Sequence, residues 1–138
     1  MKHTLVLLLL ISQMILTQTC SAQDEPFIAR PYLQIGRTPS PETLQLLWHA
    51  PETSNDWTVE YQVDANGSWK KTAMPTSIRV AVAGIEPHRV FQTALTGLTP
   101  GNKFNYRVLK AGKVVFTAEG QASKKADQPY RFVAFADI

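Results

Sequence analysis

The residues able to do chemistry are few and scattered along the chain. His49 and His88 carry imidazoles, which could move a proton or hold a metal ion. They lie far apart in sequence, with no Cys or acidic residue at ligand spacing, so both read as surface histidines. Trp48 and Trp57 fit a core. Trp69 follows a hairpin turn and is the better candidate for stacking on a sugar ring, although cross-strand aromatic packing accounts for it more simply. Asn66-Gly67-Ser68 matches a glycosylation sequon, but the Asn-Gly turn explains the same residues. Lys70-Lys71 and Lys124-Lys125 read as solvated charges. The sequence contains no Gly-rich phosphate loop, no Ser-His-Asp set and no catalytic Cys.

The elements that must position these groups follow from composition and pattern. The 138 residues are 44% hydrophobic and 18% charged, with 7 Gly and 1 Cys, an ordinary globular composition with length for about one domain. The formal charge of +3 falls by one without residues 1–22, which hold Lys2 as their only Lys or Arg. So small a surplus gives no electrostatic footprint for nucleic acid.

Residues 1–22 read as a secretory signal peptide. Lys2 and His3 precede an unbroken apolar run from Leu5 to Ile11, extended by Met14, Ile15 and Leu16. That run falls short of the roughly 20 residues a stable membrane span requires. Cys20-Ser21-Ala22 supplies small residues for cleavage before Gln23. An uncut anchor or a lipid on Cys20 fits less well, since Thr17-Gln18-Thr19 lacks the pattern of a lipoprotein signal. Cleavage leaves an exported, periplasmic or secreted chain with no cysteine, so its stability must come from a core rather than a disulfide.

From Phe27 onward, alternation with a period of two recurs between turn residues. Strands are expected near 27–35 (an edge, because of Pro31), 43–48, 57–63, 69–73 and 77–83. Further strands are expected near 89–98, with a kink or bulge, and near 104–109 and 113–118. Ile78, Val80 and Val82 share one face. The pattern predicts an all-β sandwich of about seven strands over residues 27–119. Residues 120–129 read as a linker. Tyr130 to Ile138 contains the continuous apolar run Val133 to Ala136, the pattern of a strand covered on both faces. A buried-type strand without partners makes the chain the expected front part of a longer design.

Two stretches carry a family resemblance: Arg30-Pro31-Tyr32-Leu33-Gln34 followed by Thr43 to Trp48, and Leu95 to Val108, which includes Leu98-Thr99-Pro100-Gly101. Together they resemble the N-terminal, fibronectin type III-like domain of purple acid phosphatases. The run Arg131 to Asp137 resembles the first strand of the metallophosphoesterase domain that follows it. The resemblance implies a non-catalytic module whose partner is that catalytic domain, and it assigns Asp137 as one ligand of a two-metal site. The complete enzyme would hold two ions of iron, zinc or manganese and hydrolyse phosphate esters. One carboxylate cannot hold such ions, so no cofactor is expected for this chain alone. Ala136 stands where the family usually has Gly. Phe104 stands where sandwiches of this type often have a Tyr tied to the backbone, so that tie is expected to be absent. The alternative is a free-standing fibronectin-like module binding a glycan or a protein.

Mass spectrometry of the exported protein is expected to find a chain beginning at Gln23. An intact Met1 or a lipidated Cys20 would refute the leader assignment.

Overall fold

The structure, a computed structural model, describes residues 26–63, 67–129, 131 and 133. These residues form eight strands and no helix: β1 (Ala29–Gln34), β2 (Thr43–Pro51), β3 (Trp57–Gln62), β4 (Lys70–Lys71), β5 (Thr76–Val80), β6 (His88–Thr96), β7 (Lys103–Lys110) and β8 (Lys113–Gln121). They pair into two antiparallel four-stranded sheets, in the orders β1-β2-β6-β5 and β4-β3-β7-β8. This is the strand order of an immunoglobulin-like sandwich, with β4 as a short extra strand at one edge. All eight alternating segments read as strands between residues 27 and 118 are paired, so the count is eight rather than about seven; the strand expected at Tyr130 to Ile138 lies mostly outside the described residues.

Alternation explains the core. Leu44, Leu46, Trp48 and Ala50 point inward from β2, and Phe91, Thr93 and Leu95 do so from β6. Trp57, Val59 and Tyr61 of β3 face them, together with Phe104, Tyr106 and Val108 of β7. Trp48 and Phe91 are opposite each other in the register and stack at 5.5 Å with their planes 8° apart. Trp57 meets Trp48 edge-on at 5.6 Å and so joins the two sheets. Leu98, at the corner between β6 and β7, is 2% exposed.

Four details differ from the sequence expectations. First, β6 pairs with β2 without interruption from Thr43–Thr96 to Pro51–His88, so the bulge expected at 89–98 is not there. The irregularities fall between Ala29 and Tyr32, around Pro31, which has no N–H to give a ladder, and between Val108 and Leu109. Second, β5 ends at Val80 rather than near 83, which leaves Val82 outside the strand and exposed, and Ile78 is exposed on the outer face of this edge strand.

Third, the linker expected from residue 120 begins later. Backbone pairing continues through Ala122 N–H to Asn102 O and Gly101 N–H to Ser123 O, and Ala122 is buried. Gly120 lies opposite Phe104, and a Cβ placed there would sit 2.6 Å from Phe104 Cζ and 2.7 Å from Leu33 Cδ1. This glycine is a close-packing residue rather than a spacer. Fourth, the tyrosine tie lost at Phe104 has a counterpart on another strand. Tyr61 of β3 donates its hydroxyl proton to Thr96 O, at the end of β6 in the opposite sheet, at 2.8 Å.

Gly120→Ala is expected to destabilise the fold by about 1–3 kcal/mol through overpacking. Leu98→Ala should cost about 2–5 kcal/mol through the cavity it leaves. Tyr61→Phe, which keeps the ring and loses the tie, should cost about 0.5–1.5 kcal/mol. Denaturant titration of the three variants checks all of these. A Gly120→Ala variant as stable as the parent would return that residue to the linker.

Candidate functional site

The polar groups that the fold brings together lie on the outer face of the first sheet. Inward positions of β2 are even-numbered, so His49 points outward. In the β2–β6 register His49 faces Val90 and His88 faces Pro51, which makes the two histidines diagonal neighbours on one face. Their rings lie 5.2 Å apart and 21° from parallel, with His49 Nδ1 3.2 Å from His88 Nε2. Tyr32, aimed by the irregular β1, places its hydroxyl 3.3 Å from His49 Nε2. On the other side His88 Nδ1 meets Glu86 O at 3.0 Å.

The far end of this chain of contacts sets its direction. A carbonyl oxygen only accepts, so His88 Nδ1 carries the proton and donates to Glu86 O. In the neutral ring His88 Nε2 is then an acceptor and receives His49 Nδ1–H. His49 Nε2 is in turn an acceptor and receives the Tyr32 hydroxyl proton. Every polar atom of the three side chains thus has a partner when both imidazoles are neutral. Adding one proton reverses part of the chain, and adding two places like charges in contact. His49 is accordingly held below its ordinary value of 6.5, first by loss of solvent and then by the charge of His88.

Of the two histidines expected at the surface, His49 is part-exposed on the outer face and His88 is buried. His88 is only 7% exposed and both rings are bonded. Strand parity could have placed His49 outward, but its pairing with His88 depends on a register between strands nearly forty residues apart. Nearby, the Arg79 guanidinium donates to Glu52, and this bond more than any other influence holds the Glu52 carboxyl below the usual range. Weaker contributions come from the charges of Arg79, Arg89 and His88. Arg89 itself donates from Nε to Ser77 Oγ at 2.9 Å.

The other sequence candidates are dispersed. Trp48 and Trp57 are core residues. Trp69 is half-buried, with the Arg107 guanidinium carbon 4.0 Å above its ring, and Arg107 pairs with Glu60 at 2.6 Å. One ring face is therefore already taken. Lys70 and Lys71 are exposed, and Lys124 donates its ammonium to Pro129 O. Lys124 and Lys125 line a groove of about 1130 Å³, together with Ile35, Pro39, Pro41, Pro129 and Arg131. Asp137, Asn66 and Cys20 lie outside the described residues. Among the described residues no three His, Cys, Asp or Glu side chains are grouped to hold a metal, and no helix is long and apolar enough to cross a membrane. No family model matches the chain, and no curated protein matches it.

The histidine pair makes stability depend on pH in a defined sense. A His whose folded pKa is lowered binds fewer protons folded than unfolded, so its contribution is complete above about pH 6.5 and is lost as pH falls through the lowered value. Glu52, also lowered, acts in a separate window below its ordinary 4.5. The thermal midpoint is expected to fall between about pH 7 and pH 5.5, and His49→Gln should flatten that slope. Equal slopes in the two proteins would remove His49 as the cause.

Proposed function

We propose that this chain is the N-terminal, non-catalytic sandwich module of an exported metallophosphoesterase of the purple acid phosphatase type. The observation that carries the reading is where the chain leaves the sandwich. After Ala122, residues 123–126, 129 and 131 face residues 35 and 39–41 across the groove lined by Ile35, Pro39, Pro41, Lys124, Lys125 and Arg131. Apolar and cationic walls at the exit of the last strand suit the docking of a domain that follows it. The two stretches that carry the resemblance supply framework: Pro31 at the β1 irregularity, Leu33 against the core, and Leu98 and Phe104 within it.

In this reading the module positions the catalytic domain and performs no phosphoryl chemistry itself. The two-metal site belongs to that domain, with Asp137 as its first ligand. The described residues offer no group that fits two metal ions, so no step of hydrolysis is assigned to them. Coverage of Trp69 by Arg107 weighs against the glycan-binding alternative.

The 138-residue chain is expected to give no turnover of p-nitrophenyl phosphate with added zinc, iron or manganese. Turnover that Asp137→Ala abolishes would make it an enzyme in its own right. The coding frame past Ile138 is expected to contain Gly-Asp-x-x-Tyr and Gly-Asn-His; a stop codon followed by unrelated sequence would remove the reading.

A further inference from the structure

The histidine pair has the spacing of a chelate. Late first-row divalent ions bind imidazole nitrogen at roughly 2.0–2.1 Å. With the two nitrogens 3.2 Å apart, such bonds would meet at roughly 103°, close to the tetrahedral angle. Turning both lone pairs from the line of the shared proton to one ion takes a rotation of roughly 40° at each nitrogen.

The surrounding hydrogen bonds suit the same role. A metal-bound histidine ordinarily donates its other N–H to a carbonyl, carboxylate or water, which sets the tautomer and the ring orientation. His88 Nδ1 already donates to Glu86 O, leaving Nε2 free to ligate. His49, ligating through Nδ1, would carry its proton on Nε2 and donate it to the Tyr32 oxygen, which turns from donor to acceptor. The proton moves from one ring nitrogen to the other, so the count of protons is unchanged, and the Tyr32 hydroxyl proton, no longer accepted by His49, turns to water. His88 is buried while His49 is part-exposed, so an ion would sit at the surface with water on its open side.

The geometry points to His49 Nδ1 and His88 Nε2 as a two-imidazole site for a late first-row divalent cation, Cu²⁺ or Zn²⁺, with water completing the coordination. Imidazole ligands select these ions over Mg²⁺ and Ca²⁺, which prefer oxygen, and Cu²⁺ binds more tightly than Zn²⁺. The site is independent of Asp137 and of the phosphatase reading.

The test is titration of the full chain with zinc chloride and copper sulfate, followed by calorimetry. The reference carries His3→Ala and Cys20→Ser, so that the leader contributes no ligand. One equivalent of either ion is expected to bind saturably, while magnesium gives no signal. His49→Gln and His88→Gln should each weaken binding by roughly tenfold or more, and Tyr32→Phe, which loses only the outer bond, should weaken it less than either. Long-range proton–nitrogen NMR gives a readout that needs no variant: zinc should shift His49 Nδ1 and His88 Nε2. If His88→Gln does not fold, those ring signals decide. Ring signals unmoved by excess zinc, or a His49→Gln chain that binds as tightly as the reference, would overturn the assignment.

Discussion

The pairing of β2 with β6 is the constraint on which the rest of this structure depends, and the Trp48–Phe91 stack holds it. The two rings lie opposite each other in the register, inside the core, nearly parallel. A slip of one residue would turn Leu44, Leu46 and Trp48 to solvent and bring Gln45, Leu47 and His49 inward. Burying those large apolar groups is worth about 1.5–3 kcal/mol each, so the slipped state is excluded. The same register then sets the outer face without further choice. His49 stands diagonal to His88 because Trp48 stands opposite Phe91.

The two sheets are joined by contacts of different kinds. Trp57 brings aromatic area from β3 against Trp48 and Phe91. Tyr61 adds a directional bond from one sheet to the last residue of a strand in the other. Gly120 contributes by what it lacks, since the space a side chain would need is filled by Phe104 and Leu33. Outside the core, Glu60 and Arg107 face each other across β3 and β7, and Lys103 pairs with Glu119 across β7 and β8. Lys103 and Glu119 are largely exposed, so that pair contributes little to stability.

The polar chain on the outer face differs in kind from these ion pairs. Its members are fully bonded to one another when neutral, and its direction is set by one backbone carbonyl. Such a chain is economical while neutral and loses a bond or gains a repulsion once protonated twice. Because a sandwich fold supports many unrelated functions, this cluster and the groove at the chain's exit carry more information about role than the fold does.

By itself the sequence determined the all-β class, the edge placement of β1 and the core positions of Trp48 and Trp57. Those features rest on local alternation and on turn residues, which act over a few positions. Only the tertiary structure decided what depends on distant partners. Gly120 looked like the start of a linker because its small size carries no sign of what packs on it. The tie from Tyr61 was hidden because Thr96 is 35 residues away. His49 and His88 looked like separate surface residues because the register that joins them comes from core side chains on two strands, and no local pattern encodes it.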